Sequence, residues 1–95
     1  MEGFEWDDAK AEVNYRKHGV DFETATKVFG DLFAVEKYDD ASADHGENRF
    51  LITGIAAGYL VTVVYTERDV SIRIISARRA SKGEHDDYYR QNSEI

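Results

Sequence analysis

Residues 49–80, RFLITGIAAGYLVTVVYTERDVSIRIISARRA, decide the fold. Arg49 to Ala56 and Tyr59 to Thr66 are runs rich in β-branched and aromatic residues, and Ala57 with Gly58 between them signals a tight hairpin. In the second run Tyr59, Val61, Val63 and Tyr65 point to one side, and Leu60, Thr62, Val64 and Thr66 to the other. Glu67, Arg68 and Asp69 read as a turn into a strand from Ser71 to Ala77. That strand is apolar on both faces, which suits a central position in a sheet. Short turns between successive strands make the pairing mostly antiparallel.

On the N-terminal side of this stretch the hydrophobic period is helical. Asp7 is a fitting N-cap for a helix from Asp7 to His18, in which Ala9, Val13 and the stem of Lys17 share a face and Gly19 is the stop. Trp6 is placed to fold over its first turn. A second helix is predicted over Phe22 to Phe29, capped by Asp21, with Phe22, Ala25, Val28 and Phe29 as its apolar face. Leu32 to Lys37 reads as a short strand and residues 38–47, YDDASADHGE, as a solvated loop. Ser81 and Glu84 have the spacing of a capping box, so a last helix runs from Ser81 through Tyr88 and Tyr89. The expected architecture is α+β: two N-terminal helices packed on a four-stranded, mostly antiparallel sheet, with a C-terminal helix. Part of the other sheet face stays available for a ligand.

Ninety-five residues, 42% hydrophobic and 13% aromatic, suit one compact domain spanning 1–95. The absence of cysteine excludes disulfides and thiolate chemistry. The amino terminus, MEGFEWDDAK, lacks a signal-peptide pattern, and no segment is apolar for the roughly 18 residues of a membrane span. A soluble, cytoplasmic protein with no membrane partner is expected.

The net charge of −7 argues against nonspecific nucleic-acid binding by the whole surface. The charge is polarised, however. Residues 1–48 hold 13 acidic against 5 basic side chains, whereas residues 68–82 hold five basic ones (Arg68, Arg73, Arg78, Arg79, Lys82) against Asp69 alone. Arginines at strand positions or ends, namely Arg49, Arg68, Arg73, Arg78 and Arg79, can converge across neighbouring strands and grip phosphate with paired hydrogen bonds. In an ideal strand Arg73 and Arg79 share one side, and Arg78 shares the other with Ile72 and Ile74. The plainer reading makes them surface residues paired with carboxylates, each exposed pair contributing about 0 to 1 kcal/mol.

His18, within Arg16-Lys17-His18-Gly19, is the candidate proton-transfer group, because imidazole titrates near neutral pH; it also suits interaction with the helix dipole. Tyr88 and Tyr89 can stack a base or donate a proton, or serve as core and rim. Asp39, Asp40, Asp44, His45 and Glu47 do not follow the calcium-loop spacing and read as a solvated acidic loop, so neither metal nor cofactor is expected.

Three blocks, FEWDDAKAEVNYRKHGVDFETATKVF, GENRF and VVYTERDVSIRIISARRASKGE, together resemble the BrnT family of bacterial toxins. The resemblance spans nearly the whole chain. It implies a RelE-like fold and a metal-independent ribonuclease that blocks translation by cutting RNA. It also implies a BrnA-type antitoxin with a ribbon-helix-helix region, through which alone the pair would reach operator DNA. Lys17, His18, Arg49, Arg68, Arg73, Arg78 and Arg79 match the family pattern. The match does not assign individual roles; from the chemistry of the side chains His18, Arg49, Arg68 and Arg78 are taken as the catalytic set, and Lys17, Arg73, Arg79, Tyr88 and Tyr89 as substrate-binding. The chain departs from the family in charge: such toxins are commonly basic, and this one carries GEHDDYY in its last helix. A non-catalytic antitoxin-binding module, or a degenerate toxin, is the alternative.

Overall fold

A computed structural model describes residues 3–93. Among them the strands are β1 (Gly3–Glu5), β2 (Val35–Tyr38), β3 (Phe50–Ala56), β4 (Tyr59–Arg68) and β5 (Ser71–Arg79), in the sheet order β1-β5-β4-β3-β2. Successive strands from β2 to β5 are antiparallel, but β1 runs parallel to β5, with Phe4 opposite Ile72 and Glu5 opposite Arg73. The sheet is therefore five-stranded and mixed, not four-stranded. Three residues are too few to show alternation, and only the distant β5 gives β1 a partner.

The helices are α1 (Asp8–His18), α2 (Phe22–Thr26), α3 (Ser42–His45) and α4 (Lys82–Asn92). Asp7 caps α1 by accepting from the Lys10 amide at 3.0 Å, and Gly19, at φ 72°, ends it with its N–H on the Tyr15 carbonyl. Asp21 caps α2, which tightens into a 3₁₀ turn over Lys27–Gly30 before the predicted end at Phe29. β2 starts three residues later than expected, because Leu32 and Phe33 lie in a turn held by Asp31 and Leu32 is 95% exposed. Inside the loop after β2, α3 buries Ser42, whose hydroxyl bonds the backbone of Asp39 and Arg49.

Both hairpin turns have two residues. Ala57 and Gly58 have φ of 53° and 89°, the left-handed pair of a type I′ turn. The second turn is Asp69 and Val70, with Arg68 opposite Ser71, so Glu67 and Arg68 belong to β4 and not to the turn.

The core lies on one sheet face, where Val61, Val63, Tyr65, Ile74 and Ala77 meet Val20, Phe22, Ala25 and Val28. Trp6 packs edge-on against Phe22 of α2. The face of α1 turned to the sheet is not the predicted one. Val13 is 61% exposed and Ala9 and Lys17 are exposed, while Ala11 is half-buried and Asn14 is buried. Asn14 explains the choice. Its Nδ2 donates to the carbonyls of Val20 (3.0 Å) and Ala77 (2.9 Å), and its Oδ1 accepts from the Ala77 amide (3.2 Å). A single side-chain amide thus closes the edge of β5 beyond the reach of β1, where an unpaired backbone would be costly.

The ladder between β4 and β5 slips once: Val64 faces Ser76, yet Tyr65 faces Ile74. Ile75 is left without a partner, as in a β-bulge. Beyond it the alternation inverts. Ile72, Ile74, Ala77 and Arg79 fall on the core face, and Arg73, Ser76 and Arg78 on the opposite one. The expected pairing of Arg73 with Arg79 is overturned by that one extra residue.

Candidate functional site

The sheet face opposite the core is only partly covered. α4 caps one end of it, through Glu84, whose Oε1 accepts from the Thr62 hydroxyl at 2.9 Å; Thr62 in turn meets Thr53 at 2.6 Å. Along β5 the open face shows Arg73, Ser76 and Arg78, and along β4 Arg68, Thr66, Val64 and Thr62. Four of the sequence-predicted cations thus gather at this face or its border: Arg68, Arg73 and Arg78 on it, and Arg49 at the start of β3.

Arg78 is the most constrained. Its Nη1 and Nη2 donate to the two carboxylate oxygens of Glu84 at 2.7 and 2.9 Å, a bidentate pair. The same carboxylate accepts from the Ser81 amide at 2.8 Å, completing the capping box of α4. Burial by itself would raise the Glu84 pKa; hydrogen bonds from Arg78, the Ser81 amide and Thr62 outweigh it and hold the group at about 2. Glu84 is thereby a fixed anion and a poor base. The hydrogen bonds to Glu84 shift Arg78 the other way, above the usual arginine range.

The other cations have carboxylates too. Arg73 donates to Glu5 at 2.9 Å, and Ser71 donates to the same side chain at 2.8 Å; the Ser71 and Arg73 bonds lower the Glu5 pKa. Glu47 serves two arginines, accepting from Arg49 Nε at 3.1 Å while Arg68 lies 3.8 Å from its other oxygen. Arg79, by contrast, stacks its guanidinium over the Tyr59 ring at 4.1 Å on the core side of the sheet and is exposed. Arg78 and Arg79, adjacent in sequence, are separated by the sheet.

His18 reaches this region from α1. A groove of about 360 Å³ between α1 and β5 is lined by Lys10, Val13, Lys17, His18, Ile75 and Ser76, among others. Ser76 is the open-face residue between Arg73 and Arg78, so the groove borders the arginine row at Ser76, although no arginine lines it.

The two tyrosines of α4 part company. Tyr88 is buried and donates to Asp31 Oδ2 at 2.7 Å; burial, with Asp31 adding to it, pushes its pKa to about 12. Asp31 also accepts from the amides of Ile55 and Phe33, and these bonds keep its carboxyl below the usual range against its burial. Tyr89 is 54% exposed and packs beside His85.

Sequence reasoning missed the residues that hold the cations. Glu84 was legible as a helix cap, not as the anchor of Arg78. Glu5 and Glu47 gave no signal, since nothing local tells a pairing carboxylate from a solvated one. Ser76 became a site residue only through the bulge.

No helix among the described residues is long and apolar enough to cross a membrane. Comparison with curated proteins finds no match to the chain. A family model described as the ribonuclease toxin BrnT of type II toxin-antitoxin systems matches residues 6–84, from Trp6 to the first turn of α4. That stretch contains His18, every candidate arginine and Glu84, while Tyr88 and Tyr89 lie beyond it. By that match, over most of its length, the chain belongs to the BrnT family of ribonuclease toxins of type II toxin-antitoxin systems.

Proposed function

We propose that the protein is an endoribonuclease that binds RNA across the open face and cuts it without a metal, inhibiting translation. The observation that supports this most is the row Arg73, Ser76, Arg78 beside the His18 groove, on a chain of a ribonuclease toxin family. The ribose 2′-hydroxyl attacks the adjacent phosphorus as His18 takes its proton. The bond from phosphorus to the 5′-oxygen breaks, and that oxygen is protonated as it leaves. A 2′,3′-cyclic phosphate and a 5′-hydroxyl result. Arg78, with Arg49, Arg68 and Arg73, stabilises the charge developing on the equatorial oxygens, a preorganised electrostatic role. Lys17 holds a flanking phosphate, and Tyr89, the exposed tyrosine of α4, is the one free to stack a base. Arg79 lies on the other face and is not assigned to catalysis. A BrnA-type ribbon-helix-helix antitoxin neutralises the toxin, and operator DNA is contacted only through that partner.

The rival reading is a module that holds an antitoxin and cuts nothing. It is favoured by the pairing of Arg49, Arg68, Arg73 and Arg78 with Glu47, Glu5 and Glu84, which leaves little unbalanced charge for phosphate. Incubation of RNA with the purified protein in EDTA separates the two. Cleavage with cyclic-phosphate ends, lost in His18→Ala and Arg78→Ala proteins, is expected. Intact RNA, from a protein that binds its antitoxin tightly, would support the module instead.

A further inference from the structure

On the core side of the sheet, past the end covered by α1 and α2, aromatic rings form a continuous row. Phe4 meets Phe29 at 5.2 Å, Phe29 meets Tyr65 at 5.0 Å, Tyr65 stacks on Phe50 at 5.5 Å, and Phe50 meets Tyr38 at 5.8 Å. Tyr65 is buried and Phe4, Phe29 and Phe50 are half-buried against the core, but Tyr38 is 52% exposed. There the row becomes the floor of a cleft of about 400 Å³ lined by Glu36, Lys37, Tyr38, Phe50, Tyr65 and Glu67.

Register fixes what the cleft presents. Glu36 and Tyr38 of β2 face Ile52 and Phe50, and Glu67 follows Tyr65 on the same side of β4. Lys37 contributes to the lining from β2, where alternation sends its side chain to the opposite face. Both glutamates are exposed, and neither joins an ion pair among the described residues, unlike Glu5, Glu47 and Glu84. Aromatic faces flanked by two unneutralised carboxylates attract a planar cation and repel phosphate. β2 is also the outer strand of the sheet, so an extended chain can lie along it with a side chain in the cleft.

We propose that this cleft is a docking site for an arginine side chain of a polypeptide partner, separate from the open face and independent of RNA cleavage. Guanidinium stacks on Tyr38 and Phe50 while its edge hydrogens bond Glu36 and Glu67. The net charge of −7 adds long-range attraction for a basic segment.

The test is an NMR titration of the ¹⁵N-labelled full chain with acetyl-Ala-Ala-Arg-Ala-Ala-amide, run against the peptide in which neutral citrulline replaces arginine. Amide shifts at Glu36, Lys37, Tyr38, Phe50 and Glu67 with the arginine peptide, and none with citrulline, are expected. Tyr38→Ala should weaken binding about two- to fivefold, the size of an exposed cation–π contact. Combined Glu36→Gln and Glu67→Gln, which change charge but not shape, should weaken it further. Equal response to both peptides, shifts scattered over Asp40, Asp44 and Asp86, or full affinity in the double glutamine protein would each overturn the proposal.

Discussion

Arg73 and Arg78 project from the same face of β5 although five positions separate them, because Ile75 has no partner on β4 and adds one step to the alternation. An unbroken strand would put Arg78 opposite to Arg73 and send it into the core side. The bulge also brings Ser76 to the mouth of the groove that holds His18. One unpaired residue therefore assembles the candidate site.

The separation of Arg78 from Arg79 predicts unequal consequences. Arg78→Ala should reduce the single-turnover rate of RNA cleavage about 10²-fold or more, as loss of one preorganised donor does. Arg79→Ala should leave that rate nearly unchanged, since its guanidinium lies over Tyr59. Comparable losses from both substitutions would refute the assignment of faces.

Acid should weaken the Arg78–Glu84 anchor in a definite window. Glu84 is held at about 2 against an ordinary 4.5, so its contribution is fully present above about 4.5 and disappears as the pH falls toward 2. It amounts to about 2 to 3 kcal/mol. Urea unfolding at pH 7, 4 and 2.5 should show the Glu84→Gln protein less stable at pH 7 and flatter in its pH profile. Some slope should remain, because hydrogen bonds also lower the pKa of Asp21 and Asp31. An unchanged profile would contradict the prediction.

Asn14→Ala should destabilise the fold by about 2 to 4 kcal/mol, since it strips partners from the buried Ala77 N–H and C=O together. Asn14→Leu, which preserves bulk, should not restore it. Denaturant midpoints check this, and hydrogen exchange at Ala77 should accelerate in both proteins.

At Ala57 a substitution should help. It sits at φ 53° in a turn whose left-handed geometry suits asparagine or glycine better than alanine. Ala57→Asn should add about 0.5 to 1 kcal/mol, read as a higher thermal midpoint with cleavage unaffected. A lower midpoint would show that the turn is held by something other than backbone preference.

Much of the fold was readable in the chain because its signals are local. The caps Asp7, Asp21 and Ser81, the stop at Gly19, the Ala57–Gly58 turn and the alternation of β4 depend on neighbours a few residues away. β1 and the buried face of α1 were not readable. A three-residue strand has no period, and Asn14 looks like a surface residue until Val20 and Ala77 are brought to it.

The same division holds for the site. Sequence alone determined that positive charge is gathered in residues 68–82 of an acidic chain, and that a strand ends there before a capped helix. It also carried the family resemblance. Which arginine faces which way, and which carboxylate answers it, was settled by the packing of strands and helices on one another. Register across β4 and β5 is a property of two strands, and the pairs Glu5–Arg73 and Glu84–Arg78 exist only once β1 and α4 have docked on the sheet.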